Sequence, residues 1–310
     1  MGMNKTVLIT GASGFLGTWV AEVFTRKGYK LIGIDLRAPD KPQLWDRFAT
    51  SSLESVDLDH LLMDCQLFAV CHLAGGASVA SSVNDPFGDF SSLLPGTVRL
   101  AIYLMRAQPK ARLVLFSSAA VYGNPQQLPI TETTPILPIS PYGIHKAGAE
   151  FLLENYSRAF GLNVTIFRIF SVYGPGLRKQ LIYDVSQRAL KASAEGKSEI
   201  MLFGTGNESR DFIYVEDLCE ATHILLESES KTNFSVYNMA SGIESTVADV
   251  ANNLIRHLNI DIKIKFNGEV PKGDPINWRA DITKLFELGF TPKYTIDKGL
   301  EKIADWAKME

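Results

Sequence analysis

Tyr142 and Lys146 lie four residues apart in the segment SPYGIHKAGAE, and Ser118 stands upstream in FSSAAVYG. On a helix that spacing puts the phenol and the ammonium on one face. A tyrosine with an ordinary pKa of about 10 is a poor base at neutral pH. A neighbouring cation stabilises the phenolate and brings proton transfer into range. Ser118, in the turn after a β-rich run, can polarise the same substrate oxygen. The chemistry open to this trio is removal of a proton from an alcohol. The Tyr–Lys pair by itself carries little weight, because residues of these types at this spacing usually make a solvated helix face.

The opening segment VLITGASGFLG gives the trio a partner. Gly11, Gly14 and Gly17 are spaced three apart, after an apolar run and before a helical pattern, which is the context of a dinucleotide-binding turn. Gly11 allows the tight turn, Gly14 lets the backbone approach a pyrophosphate at the helix N-terminus, and Gly17 permits close helix–strand packing. Asp35 closes the next apolar run, 18 residues after Gly17. An acid there accepts hydrogen bonds from ribose hydroxyls and repels a 2′-phosphate, so NAD is favoured over NADP. Arg37, two residues on, is a group that could hold that phosphate. A cationic nicotinamide would add to the stabilisation of a Tyr142 phenolate.

The elements that must position these groups alternate regularly. Residues 5–10, 30–35, 68–73, 112–117 and 163–169 read as strands, and residues 18–26, 96–107 and 144–160 as helices. Such alternation predicts an α/β fold, a Rossmann-type doubly wound parallel sheet. After about residue 175 the pattern turns mixed, with helices at 181–194, 215–226, 247–258 and 296–306 and a strand at 262–266. Residues 1–175 are therefore expected to form the NAD-binding domain. Residues 176–310 are expected to form a smaller mixed α/β C-terminal lobe, with some segments interleaved with the first.

Composition narrows the partners. The 310 residues are 46% hydrophobic and carry 31 basic against 34 acidic side chains, for a net charge of −3. That balance gives no electrostatic reason to expect nucleic acid or an anionic membrane. No apolar run approaches the roughly 20 residues that span a bilayer. Cys65, Cys71 and Cys219 form no CxxC pair, and the chain begins almost directly with a strand and no secretory pattern, so a reducing, cytoplasmic setting is expected. His60, His72, His145, His223 and His257 lack metal-ligand spacing, so no metal is expected, and His72 and His145 read as packing or supporting groups.

Together these motifs mean that the chain resembles the extended short-chain dehydrogenase/reductase family, more narrowly its NAD-dependent epimerase/dehydratase enzymes acting on nucleotide sugars. The likeness runs along nearly the whole chain. Beyond TGASGFLG and YGIHK it takes in HLAG at 72–75, FRIFSVYGPG at 167–176, GTGNESRDFIYVEDL at 204–218, YNMASG at 237–242 and GDPINWRADITKLFELGF at 273–290. The resemblance implies Ser118, Tyr142 and Lys146 as catalytic residues. It implies cofactor contacts from Gly11, Ser13, Gly14, Phe15, Leu16, Gly17, Asp35, Leu73, Ala74 and Gly75, joined by Tyr142 and Lys146. It implies substrate contacts from Ser118, Ser171, Arg210 and Lys272. An Arg fork at position 210 suits the diphosphate of a nucleotide sugar, although an ion pair with Asp211 or Asp217 is the plainer reading of that residue. The family's equivalents of two apolar helices, 93–107 and 146–160, form a dimer interface, so a homodimer is expected; simple packing on the sheet is the other reading.

Departures from the family pattern bear on the reaction. Ser171 stands where Asn is usual, Ser52-Leu53 where an Asp-Leu pair meets adenine, and Pro271 where an Arg precedes Gly-Asp, leaving Lys272 as a phosphate partner. Ala119 and Ala120 occupy the places of the Asp-Glu pair that drives dehydration, and alanine moves no proton. The resulting expectation is an NAD-dependent epimerase on a nucleoside-diphosphate sugar, with a UDP-sugar 4-epimerase favoured and a transient 4-keto sugar as intermediate. A keto-sugar reductase using NAD(P)H is the alternative, and a non-catalytic NAD-sensing regulator a more distant one.

Overall fold

The computed structural model describes residues 5–76, 78–229, 232–269 and 276–310. In chain order, β1 (Thr6–Thr10), α1 (Phe15–Arg26), β2 (Lys30–Asp35) and β3 (Arg47–Thr50) lead through the short α2 (Leu58–Leu61) to β4 (Leu67–His72). Next come α3 (Val79–Asn84), α4 (Pro86–Ala107), β5 (Arg112–Ser118), α5 (Pro141–Phe160) and β6 (Val164–Ile169). The remainder runs β7 (Ser171–Tyr173), α6 (Gln180–Ala194), β8 (Glu199–Leu202), β9 (Ser209–Tyr214), α7 (Val215–Glu227), β10 (Phe234–Met239), β11 (Glu244–Thr246), α8 (Val247–Leu258), β12 (Lys263–Phe266), α9 (Thr283–Glu287) and α10 (Ile296–Ala307).

Every residue of β1 is buried, so both faces of that strand are covered. Alternation along it separates two cores. Val7 and Ile9 pack in one cluster with Val20 and Phe24 of α1 and Leu218 and Leu225 of α7. Leu8 belongs to the other, with Leu100 and Leu104 of α4 and Leu153 of α5. Parallel strands with helices on both faces result, in the order β10-β6-β5-β4-β1-β2-β3. The chain leaves β1 outward through β2 and β3, then crosses to β4 and runs the other way through β5 and β6. At that reversal the loops at the strand C-termini diverge and leave a crevice.

Several elements differ from the sequence reading. The helix expected from residue 96 begins at Pro86, capped by Asp85, whose side chain accepts the Gly88 N–H. Pro95 ordinarily ends a helix, yet α4 continues through it because Leu93, Leu100 and Leu104 are buried on either side. Likewise α5 starts at Pro141 rather than 144, with Ser140 accepting from Gly143 N at 3.2 Å. β3 and β10 extend the sheet at its two edges. β10, beyond residue 175 in sequence, pairs with β6 over its whole length.

The smaller sheets lie past β6. β7 follows β6 after one residue and leaves the main sheet to pair with β9, which also pairs with β11. β8 and β12 form a separate parallel pair, and the cluster containing α1 extends through α6, α8 and α10. Among the described residues, no helix is long and apolar enough to cross a membrane.

The first turn of α1 has little room for change. A Cβ on Gly17 would stand 2.3 Å from the Gly11 carbonyl oxygen and 2.8 Å from Ala12 Cα. Both are backbone atoms, so helix and strand must separate to admit it. Gly17→Ala is expected to destabilise the chain by about 2 kcal/mol and lower Tm by roughly 3 °C in a thermal melt. An unchanged Tm would show that this contact is not as tight as the structure has it.

Candidate active site

Gly11 turns the chain at the end of β1 with φ +68°, and its absent Cβ would meet Ala74 N at 2.8 Å. Gly14 differs. Its backbone is extended, and a Cβ there would meet the Gly11 oxygen at 3.1 Å with no further neighbour inside 4 Å. What glycine preserves at position 14 is open space over the N-terminus of α1. That helix begins without a side-chain cap, leaving first-turn N–H groups without intrahelical acceptors. A diphosphate fits this arrangement: unpaired donors, a positive dipole end and a backbone that can be approached closely.

Asp35 is aimed by two backbone donors, Ser13 N to Oδ2 and Arg37 N to Oδ1, both at 3.0 Å. Its remaining lone pairs suit the two hydroxyls of a ribose. Arg37 donates from Nη2 to the Ser13 carbonyl at 3.2 Å, which draws its guanidinium toward that loop.

A cleft of about 1360 Å3 joins these groups to the rest. Gly11, Gly14, Phe15, Leu16, Gly17, Asp35, Leu73, Ala74 and Gly75 line one part of it, and Ser118, Tyr142, Lys146, Ser171 and Arg210 line the continuation. Ser13 does not reach the wall; it acts through Asp35 and through its Oγ, which donates to the Arg37 carbonyl at 2.8 Å. Lys272, and Pro271 before it, lie outside the described residues.

Capping by Ser140 places Tyr142 in the first turn of α5 and Lys146 one turn later. The Tyr142 phenol faces Ser118, whose Oγ accepts Ala120 N at 3.2 Å. Lys146 donates from Nζ to the Phe116 carbonyl at 2.9 Å. Burial pushes the Tyr142 phenol up to about 12; Ser118 pulls it down and Asp89 pushes it further up. Burial lowers Lys146 to about 8, against the pull of Asp89 and Glu150. In the chain by itself, therefore, desolvation outweighs any help the ammonium gives the phenolate, and a further cation is needed beside the ring.

Supporting groups converge here, among them His72 and His145, which the sequence reading took as packing or supporting groups. His72 is wholly buried between Thr10 Oγ1 at 2.7 Å and Thr97 Oγ1 at 2.8 Å. Thr97 donates to the Leu93 carbonyl and Thr10 accepts Ala74 N, so His72 must donate from Nε2 and accept at Nδ1. Burial and the charge of Lys146 lower it to about 3, keeping it neutral. His145 pairs through Nδ1 with the buried Asp89 at 2.6 Å. In the far part of the cleft, Trp278 lies under the Arg210 guanidinium, 5.8 Å from ring centroid to Cζ. Asp211 accepts from Ser241 N and Oγ, Gly242 N and Ala280 N, tying β9 to the segment that carries Trp278. Arg178, Lys179 and Arg188 also line this region; the GLRK run after FSVYGPG was the available signal.

A family model described as "NAD dependent epimerase/dehydratase family" matches residues 7–240. The chain belongs to that family. It is 29% identical to the UDP-glucose 4-epimerase of Lactobacillus helveticus, over 97% of each chain. It is 28% identical to the UDP-glucuronate 4-epimerase of Thermodesulfobacterium geofontis, over 97% of this chain and 95% of that one. Among solved structures, Thermotoga maritima UDP-glucose 4-epimerase with UDP-glucose superposes with TM-score 0.87 at 28% identity, covering 98% of this chain and 99% of that one. Bacillus cereus UDP-glucuronic acid 4-epimerase, in complex with UDP-glucuronic acid and NAD, gives 0.87 at 26% identity with the same coverage.

If Tyr142 is the proton-transfer group, Tyr142→Phe lowers kcat by about 10^2–10^4-fold while leaving the melting curve close to that of the unaltered chain. Because Lys146 is held at about 8, the rate should fall as pH rises through 8 and the ammonium is lost. A flat profile from pH 7 to pH 9.5 contradicts that role for Lys146.

Proposed function

We propose that this chain is an NAD-dependent 4-epimerase of a nucleoside-diphosphate sugar, with a UDP-sugar as substrate. The observation that carries the reading is a single cleft. At one end lie the α1 N-terminus and Asp35, in the middle Ser118, Tyr142 and Lys146, and at the other Ser171, Arg210 and Trp278. Such a cleft suits a dinucleotide laid end to end with a nucleotide sugar, the sugar ring resting against Tyr142.

Bound here, NAD would supply the acceptor for a hydride from the sugar C4 and the donor for its return to the opposite face. Gly11, Gly14 and Gly17 with the α1 donors hold its diphosphate, and Asp35 its adenine ribose. Lys146 has one proton committed to the Phe116 carbonyl, and two others remain to hold the nicotinamide ribose. Tyr142 Oη takes the proton of the 4-hydroxyl and keeps it within reach for return. Ser118 Oγ, fixed by Ala120 N, shares the hydrogen bond to the same substrate oxygen. Arg210 faces the substrate diphosphate, with Nη1 steadied by the Ser209 carbonyl at 2.8 Å. Ala119 and Ala120 leave the site without the carboxylates a dehydration would need.

The exposed faces of α4 and α5 support a dimeric enzyme. Phe87, Ile102, Ile144, Phe151 and Phe160 are all more than half exposed there, and a second copy packing the same two helices would bury them. The free thiols Cys65, Cys71 and Cys219 accord with a cytoplasmic setting.

The direct test incubates purified chain, without added cofactor, with UDP-glucose, UDP-galactose, UDP-glucuronate and UDP-N-acetylglucosamine. Interconversion at C4 of at least one is the expected result. Turnover that needs a keto-sugar and stoichiometric NAD(P)H would replace the epimerase with a reductase. For the assembly, light scattering should give twice the chain mass, reduced to one by Phe151→Lys; a monomeric unaltered chain removes the dimer.

A further inference from the structure

Two rungs join α5 to β5 beneath the cleft, one turn below the point where Tyr142 faces Ser118. Lys146 meets the Phe116 carbonyl, and Glu150 accepts from Ser117 Oγ. Tyr142, Lys146 and Glu150 follow one another at i, i+4 and i+8, so the same helix face that carries the reacting groups ends on a carboxylate. Glu150 is 4% exposed. Its Oε2 takes Nε and Nη2 of Arg168 at 3.0 and 2.8 Å. Arg168 lies beside Ser117 in the β5–β6 register, and its Nη1 donates to the Tyr122 hydroxyl and the Glu132 carbonyl, each at 3.0 Å. Tyr122 donates in turn to Asn238 Oδ1 of β10 at 2.6 Å. A buried ion pair adds little net stability over well-packed apolar side chains, so one built this fully, a single turn from Lys146, calls for another role.

We propose that Glu150 is a positioning residue: locked by Arg168 and Ser117, its carboxylate is the counter-charge that keeps the Lys146 ammonium protonated and seated against the Phe116 carbonyl. This rests on the roles given above to Tyr142 and Lys146. Lys146 faces Tyr142 and Glu150 on its own helix, Asp89 of α4, the neutral His72 of β4 and the uncharged end of β5. Burial lowers Lys146, and the two influences that raise it are Asp89 and Glu150. Asp89 is shared with His145. Removing the Glu150 charge leaves Asp89 as the one anion opposing desolvation, and the ammonium is lost at lower pH.

The test follows the Lys146 side chain by heteronuclear NMR in the full chain, with Lys146→Arg identifying its signal. The expected midpoint near 8 falls by about one unit in Glu150→Gln, so that at pH 7.5 the charged fraction drops about threefold. The alkaline limb of the kcat profile should move with it, while KM for the sugar nucleotide stays within about twofold. Ser117→Ala, which removes a rung without removing charge, should leave the midpoint in place. Should Glu150→Gln fail to fold because Arg168 is stranded, the double variant Glu150→Gln, Arg168→Met still lacks the carboxylate one turn from Lys146, and its midpoint should fall, by less than in the single variant because the Arg168 cation is gone as well. An unmoved midpoint in folded variants overturns the proposal. The titration needs no turnover, so an unaltered chain that epimerises nothing yet shows the shift defeats the assignment of reaction and leaves the role of Glu150 standing.

Discussion

Desolvation of Tyr142 and Lys146 is the constraint on which the rest of the structure depends. Both sit where α5 crosses the end of β5, and burial drives the phenol toward neutrality and the ammonium toward deprotonation. Each shift opposes the protonation state that proton transfer needs. The surroundings answer it with specific groups: the Ser118 hydroxyl for the phenolate, the Phe116 carbonyl for the ammonium, and two buried carboxylates, Asp89 and Glu150, placed on different helices. A low local dielectric strengthens each of these interactions. It also makes any of them costly to leave unmatched, which accounts for the hydrogen bonds gathered around Arg168 and His72.

The sheet makes that site possible. Parallel strands place all their C-terminal ends at one edge, and the reversal between β1 and β4 opens that edge. The glycine turn after β1, Asp35 at the end of β2 and Ser118 at the end of β5 thus face one crevice although they are far apart in sequence. The smaller sheets bring the remaining wall. β7 leaves the main sheet at Phe170 and takes Ser171 toward β9, where Arg210 projects and Asp211 binds the Trp278 segment in place. The Ser171–Arg210 part of the cleft is therefore assembled from three separated stretches, whereas the part around the α1 N-terminus is contained largely in one βαβ unit.

Legibility in sequence followed the same division. The glycine turn, Asp35 and the Tyr142–Lys146 pair are local, since spacing alone places them relative to one another, and the structure brings all of them to one cleft. Strand alternation revealed the central sheet for the same reason. The start of α4 was hidden by Pro95, which reads as a terminator unless the burial of Leu93, Leu100 and Leu104 is known. β10 escaped notice because its membership in the sheet depends on pairing with β6, some seventy residues earlier. Glu150, Arg168 and Asp89 look like ordinary helix-surface or strand residues in sequence, and they become significant only through their partners.

The amino-acid sequence by itself determined the α/β class and the dinucleotide turn, and it placed Tyr142 and Lys146 on one helix face, because short-range periodicity and spacing dictate which side chains share a turn or a helix face. Tertiary structure alone decided how far Tyr142 and Lys146 are desolvated, which carboxylates oppose that desolvation, and how Ser171, Arg210 and Trp278 come to share a cleft with Asp35. Those are properties of burial and of contacts between distant segments. They arise only when the chain has closed around the switch point of its sheet.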